Sequence, residues 1–316
     1  MIAVIALSPA LDVTHHVDGV DWAGVNRPAS VRAVPGGKGP NVARTLRALG
    51  ADVLLLGLAG GSTGAAVQGG LQEAGVPAVF TQIAADTRRT FAVVDTRRGE
   101  VASFYEPGAQ VSAPEYARFV ASYAEVLPRC TAVVLSGSVP PGLPATAYAE
   151  LTLAASSAGV PVVLDTSGEP LLHGASAGPA IVKPNLAELA AAAGRDLRWA
   201  GRRDQAAVLA AAAQLRELGA HAVVVSLGAH GLIAVTRDGA WHALPEPVPG
   251  NPTGAGDAAV AGLAHGLAQG SPWPERLRHA AALGSATAAA PIAGEFATHH
   301  YQLALEKLRV RQMEQE

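Results

Sequence analysis

Short apolar runs recur along the chain at residues 2–7, 53–58, 131–135, 161–165, 179–182 and 221–226. Between them lie alanine- and leucine-rich segments, such as LAAAAQLREL, long enough to be helices. Runs such as AVVL and HAVVVS have no polar face, which predicts strands buried on both sides. The alternation of such strands with helices predicts an α/β architecture, a mostly parallel central sheet flanked by helices. Two stretches break the rhythm. Residues 12–34 and 88–105 read as short strands with turns, the second as a hairpin around Arg98-Gly99, and neither is expected to lead directly into a sheet-covering helix. They predict a small separate β-sheet lid. No Gly/Ser linker and no internal repeat divides the chain, so residues 1–316 are expected to form a single domain that carries this lid.

One helix start stands out. The stretch NPTGAGDAAVAGLAHG, residues 251–266, sets Gly254, Ala255, Gly256 and Asp257 in front of a run with a wide apolar surface. Glycines allow a ligand to approach the main chain closely, and the free N–H groups and dipole of a helix N-terminus favour an anion. A phosphate fits that description. A carboxylate beside a phosphate repels it unless it has other work, such as taking a proton from an attacking hydroxyl. The alternative reading of Asp257 is a helix cap.

Composition narrows the field. The 49% hydrophobic content is ample for a sizeable core, and a formal charge of -3 without long single-sign runs gives no pull toward nucleic acid or an anionic membrane. A single cysteine excludes an internal disulfide framework and cysteine-based metal clusters, and the opening MIAVIALSPALD lacks the basic flank and length of a signal peptide or membrane span. The expected location is the cytoplasm. Histidines such as His15-His16 and His299-His300 lack the spacing of a metal site. Of the 23 basic residues only three are lysines, and two of them, Lys38 and Lys183, sit in GGKGPN and IVKPN. A compact ammonium in a tight, glycine-lined place differs physically from a planar guanidinium.

In open α/β sheets, ligands bind beyond the carboxyl ends of the strands. The loops SPALD, PGGKGPN, SGSVPPG, KPNLAEL and SLGAHG all fall at such positions. With these motifs in order, the chain resembles the ribokinase/PfkB carbohydrate kinases along nearly its whole length. GGKGPNVARTLRALG (36–50) and NPTGAGDAAVAGLAHG carry the two family signatures, while VNR (25–27), TRRTF (87–91), GSVPPGLP and VKPNLAEL are similar to the branch that contains 1-phosphofructokinase and tagatose-6-phosphate kinase.

The resemblance implies a ribokinase-like three-layer fold and an ATP-dependent kinase that uses Mg²⁺ and acts on a ketohexose phosphate: fructose 1-phosphate, fructose 6-phosphate or tagatose 6-phosphate. It implies that the amides of Gly254, Ala255 and Gly256 stabilise the transferring phosphoryl while Asp257 takes the hydroxyl proton. Asp12, Gly37 and Asn41 match residues that hold sugar hydroxyls, Ser138 lies in a matching substrate loop, and Arg27, Lys38 and Arg88 match a clamp on the phosphate already carried by the sugar, with Arg89 an alternative to Arg88. Lys183, Ser226, Gly228, Gly231, Thr253, Gly284 and Ser285 match the nucleotide site, and Asn185 and Glu188 the neighbourhood of magnesium. A homodimer that meets through the lid is implied as well. The segment TAAAPIAGEF departs from the family pattern, which leaves K⁺ near Asn251 and Thr253 an open cofactor. The competing readings are a kinase of an unphosphorylated sugar or nucleoside, and a catalytically silent sugar-binding regulator.

Overall fold

The computed structural model describes residues 1–290 and 295–313. In chain order its strands are β1 (Ile2–Ala6), β2 (Ala10–Val17), β3 (Ser30–Gly36), β4 (Val53–Ala59), β5 (Ala78–Gln82), β6 (Arg88–Asp95), β7 (Glu100–Tyr105), β8 (Ala132–Ser136), β9 (Val162–Asp165), β10 (Ile181–Val182), β11 (Ala222–Ser226), β12 (Leu232–Thr236), β13 (Gly239–Leu244) and β14 (Arg309–Met313). Among the described residues the larger sheet has ten strands, in the order β14-β13-β12-β11-β10-β9-β8-β1-β4-β5. From β11 to β5 every pairing is parallel, and β12, β13 and β14 close the far edge antiparallel.

Helices cover both faces. On one side lie α1 (Lys38–Ala48) and α2 (Gly61–Glu73); on the other lie α3 (Ala113–Val126), α4 (Ala147–Ser157), α5 (Glu169–Ser176), α6 (Leu186–Ala193) and α7 (Arg202–Glu217); the first side is completed by α8 (Ala255–Ala268), α9 (Trp273–Ala288) and α10 (Thr298–Lys307). The period-two alternation of β side chains divides each central strand between two cores. Ala3 and Ile5 of β1 join Phe119, Tyr123 and Leu151, whereas Ile2, Val4 and Ala6 join Val42, Leu46 and Val260. All five residues of β1 are buried, as its unbroken apolar run requires. This is the three-layer, ribokinase-like arrangement.

The second sheet, ordered β3-β2-β6-β7, is the expected β layer, with the β6–β7 hairpin turning at residues 96–99. Two details differ from expectation. The lid begins at Ala10 and ends its first arm at Gly36, wider than residues 12–34. That arm also leads almost directly into a sheet-covering helix, because α1 starts at Lys38 and packs on β1 and β4. Gly37, at φ 84, makes the abrupt change of direction possible, since a side chain would be strained there. Lid and main sheet are therefore joined through the GGKG turn itself.

Candidate active site

The carboxyl end of β9, the loops that follow β3, β10, β11 and β13 and the start of α8 open into one cleft of about 830 Å³ between the main sheet and the lid. Every site residue anticipated from the sequence lines it except Arg27, Arg89, Ser138 and Asn251, which are all exposed.

At the start of α8 the chain turns through Gly254, whose φ of 84 only glycine adopts freely and which occupies the N-cap position. Asp257 is thus the third helical residue and not the cap. The Ala255 amide bonds the Pro252 carbonyl (3.1 Å) and the Ala258 amide bonds that of Gly254 (2.9 Å). The amides of Gly256 and Asp257 between them have no partner among the described residues, and both residues line the cleft. Positive partial charge is left facing an anion's place. The Asp257 side chain is 8% exposed, and its Oδ2 accepts a hydrogen bond from Asn41 Nδ2 at 2.8 Å. Burial and the nearby Asp165 charge push its pKa up to about 7, against the opposing pull of Asn41, Lys38 and Lys183.

Asp165, the last residue of β9, is fully buried, and sequence reasoning did not single it out. Its Oδ1 lies 3.2 Å from both Lys38 Nζ and Lys183 Nζ, and its Oδ2 accepts from Ser136 Oγ at 3.4 Å. Burial alone would raise its pKa, but the two ammonium groups hold it below the usual carboxylate range. Burial likewise works against the Lys38 charge, and Asp165, Glu188 and Asp257 outweigh it and keep the ammonium protonated. A strand that ends in Asp at the binding rim was the available signal.

Asn185 and Glu188 form a reciprocal cap on α6: Glu188 N–H donates to Asn185 Oδ1 and Asn185 N–H donates to Glu188 Oε2, each at 2.8 Å. The second Glu188 oxygen lies 3.6 Å from Lys38 Nζ. Ser226, Gly228 and Gly231 surround a single 3₁₀ turn, Gly228–His230. A Cβ on Gly231 would stand 2.0 Å from the Ala243 carbonyl oxygen, so this turn packs too closely on β13 for any other residue. His242 of β13, also unanticipated, donates from Nε2 to the His230 carbonyl at 2.8 Å and ties the turn down. Gly284 and Ser285 of α9 complete that wall.

At the lid end, Asp12 Oδ1 accepts from Thr90 Oγ1 at 2.6 Å, and the Asp12 carboxylate lies across Gly36 where a Cβ would overlap it. Arg88 lines the cleft and donates to the Ser8 carbonyl at 3.4 Å, whereas Arg89 turns away to pair with Glu106 at 2.9 Å. Of the three cations expected to converge, Lys38 and Arg88 line the cleft and Arg27 does not. Lys38 is engaged with Asp165 and Glu188, and Arg27 stands exposed in the connection between β2 and β3. Thr90 and Tyr105 of the lid line the cleft and were not anticipated. Thr253 donates to Asn251 Oδ1 from both its amide (3.0 Å) and its hydroxyl (2.7 Å). Residues 291–294, part of the segment on which the K⁺ question turned, lie outside the described residues.

A family model described as pfkB family carbohydrate kinase matches residues 2–298. A 1-phosphofructokinase of Xanthomonas campestris pv. campestris is 38% identical over 268 residues, 83% of each chain. An ATP-dependent 6-phosphofructokinase isozyme 2 of Mycobacterium tuberculosis is 35% identical over 292 residues, 92% of this chain and 84% of that one. Among solved structures, phosphofructokinase-2 from Escherichia coli in complex with fructose-6-phosphate superposes with a TM-score of 0.85 at 30% identity, covering 96% of this chain and 98% of that one.

Proposed function

The chain belongs to the pfkB family of carbohydrate kinases, and from that premise we propose that its cleft transfers the γ-phosphoryl of ATP to a hydroxyl of a ketohexose phosphate with Asp257 as general base. The observation that carries this reading is the buried Asp257 carboxylate, poised near neutrality beside two unpaired helix amides. A base works best with a pKa near the operating pH. The attacking sugar oxygen forms a bond to the γ-phosphorus, the bond from that phosphorus to the β–γ bridging oxygen breaks to leave ADP, and the hydroxyl proton passes to Asp257. Phosphoryl transfer asks for positioning and charge stabilisation more than covalent help. The Gly256 and Asp257 amides, with Lys183 and Lys38, supply both at positions fixed before reaction.

Magnesium fits this site as a companion of the nucleotide. The described residues hold no cluster of three or more metal-ligating side chains, and Glu188 and Asn185, hard oxygen donors on the cleft wall, suit contact through water to a cation that keeps most of its hydration. Mg²⁺ would neutralise charge on the phosphates. Ser226, Gly228, Gly231, Gly284 and Ser285 would seat the nucleotide, and Asp12, Gly37 and Asn41 the sugar. Arg88 would hold the sugar's own phosphate, because a guanidinium stays charged at any working pH and binds phosphate oxygens bidentately.

The protein would work in the cytoplasm as a homodimer joined through its lid. Val31, Val101, Phe104 and Tyr105 leave an apolar lid surface more than half exposed, and a strand edge of this kind invites a second copy. A sugar-dependent ADP-release assay with fructose 1-phosphate, fructose 6-phosphate, tagatose 6-phosphate and free sugars tests the function. The reading requires a phosphorylated ketohexose to be the best substrate. A free sugar in first place would replace it with a free-sugar kinase, and no turnover with any of them would leave a binding protein.

A further inference from the structure

Asn41 stands between two groups of opposite hydrogen-bonding character. Its Nδ2 donates to Asp257 Oδ2 at 2.8 Å, and its Oδ1 accepts from Arg44 Nη2 at 2.8 Å. Arg44 is three residues further along α1, so the two side chains share one helix face. A guanidinium can only donate and an ionised carboxylate can only accept, so one orientation of the amide satisfies both neighbours and the flipped one satisfies neither. We propose that Arg44 is a positioning residue for phosphoryl transfer, which locks the Asn41 amide with its NH₂ toward Asp257 and so keeps the base ionised and aimed.

The lock acts on protonation as follows. A protonated Asp257 becomes a donor and would be best served by an Asn41 that turns its oxygen toward it. Arg44 forbids that turn, because the Asn41 NH₂ would then face the guanidinium. The O–H of the protonated form then finds no acceptor in Asn41, whereas the ionised form keeps the Asn41 N–H as its donor, so the lock favours ionisation and the base stays usable at lower pH. The hydrogen bond from Asn41 is indeed the leading influence that holds the Asp257 pKa down against burial and Asp165. The other charged groups around Asp257 are Lys38 from α1, Asp165 at the end of β9 and Lys183 beyond β10. Among the described residues, those around Arg44 include Glu295, Asp12 and Asp257, which favour its charge, and Arg32, which opposes it. Burial works against the Arg44 charge.

The inference rests on Asp257 being the base, and kcat measured against pH separates the two. In Arg44→Met the acidic limb of kcat should move up by about one pH unit, so that the rate below the limb falls roughly tenfold relative to wild type. Arg44→Lys, which keeps a charged donor, should restore most of the limb. In an Asn41→Leu background, with no amide to turn, Arg44→Met should move the limb by a much smaller amount. If Arg44→Met does not fold, Arg44→Gln takes its place: its amide oxygen can accept from a turned Asn41, so the limb should still move up. An unmoved limb in a folded Arg44 variant overturns the role of Arg44, as does an equal shift in the Asn41→Leu background, which would mark a through-space charge effect. A wild-type kcat without an acidic limb, or one that Asp257→Asn leaves in place, overturns the base itself and the inference with it.

Discussion

At the proposed transfer end of the cleft, Asp165, Lys183 and Asp257 are 0%, 3% and 8% exposed, whereas at the lid end Tyr105 is 70% exposed and Arg27 stands in solvent outside the cleft. Two ammonium groups share one carboxylate oxygen, an amide holds the base, and the first turn of α8 offers its free N–H groups. In that low-dielectric setting each charge acts strongly and needs no rearrangement as the reaction proceeds. Among the described residues, the lid end has one cation on the cleft wall, Arg88, and an apolar surface that nothing covers. On the proposed reading, chemistry is built into the sheet and its helices, while recognition of the sugar's own phosphate is left to a two-sided lid.

Breaking the buried end should have the largest effect. Asp257→Asn should lower kcat by roughly 10²- to 10⁴-fold, the usual range for a lost general base, while nucleotide binding measured by calorimetry stays near wild type. An almost unchanged kcat would mean that the proton leaves by another route. The pH dependence sharpens the same point. With the Asp257 pKa pushed up to about 7, the base is protonated below that pH, so kcat should fall about tenfold per unit on the acid side and level off above neutrality. A rate independent of pH from 5 to 8, a range of about three units around an ordinary titration, would contradict that environment.

The lid offers the smaller change. Phe104→Asp places a charge on its exposed apolar face and should shift the mass in solution toward the monomer, with KM for the sugar phosphate rising more than kcat falls. Sedimentation of the wild type as a fully active monomer would remove the two-sided lid from the account.

Much of the architecture is legible in the chain. The six apolar runs all became strands of the main sheet, because a strand buried on both faces has no choice of composition. The far edge was not legible. LIAVT in β12 is as apolar as any run, but it returns antiparallel after a tight turn and so falls outside a strand–helix rhythm; RVRQM in β14 has too few apolar positions to read as a strand apart from its pairing with β13. At the site, turn chemistry made Gly254, Gly256 and Gly37 visible. Asp165 and Arg44 were not, because an aspartate at a strand end or an arginine on a helix is commonplace in sequence. Only the fold brings Asp165 between two lysines and sets Arg44 behind Asn41.

The contrast between the two ends is tested most directly by kcat/KM for a phosphorylated ketohexose and for the same sugar without its phosphate, measured in wild type and in Arg88→Ala. The account predicts a strong wild-type preference for the phosphorylated sugar, most of it erased in Arg88→Ala at a cost on the order of 2–5 kcal/mol if the pair is well desolvated, with KM for ATP almost untouched. A wild type that prefers the free sugar, together with an Arg88→Ala variant that behaves no differently, would contradict it.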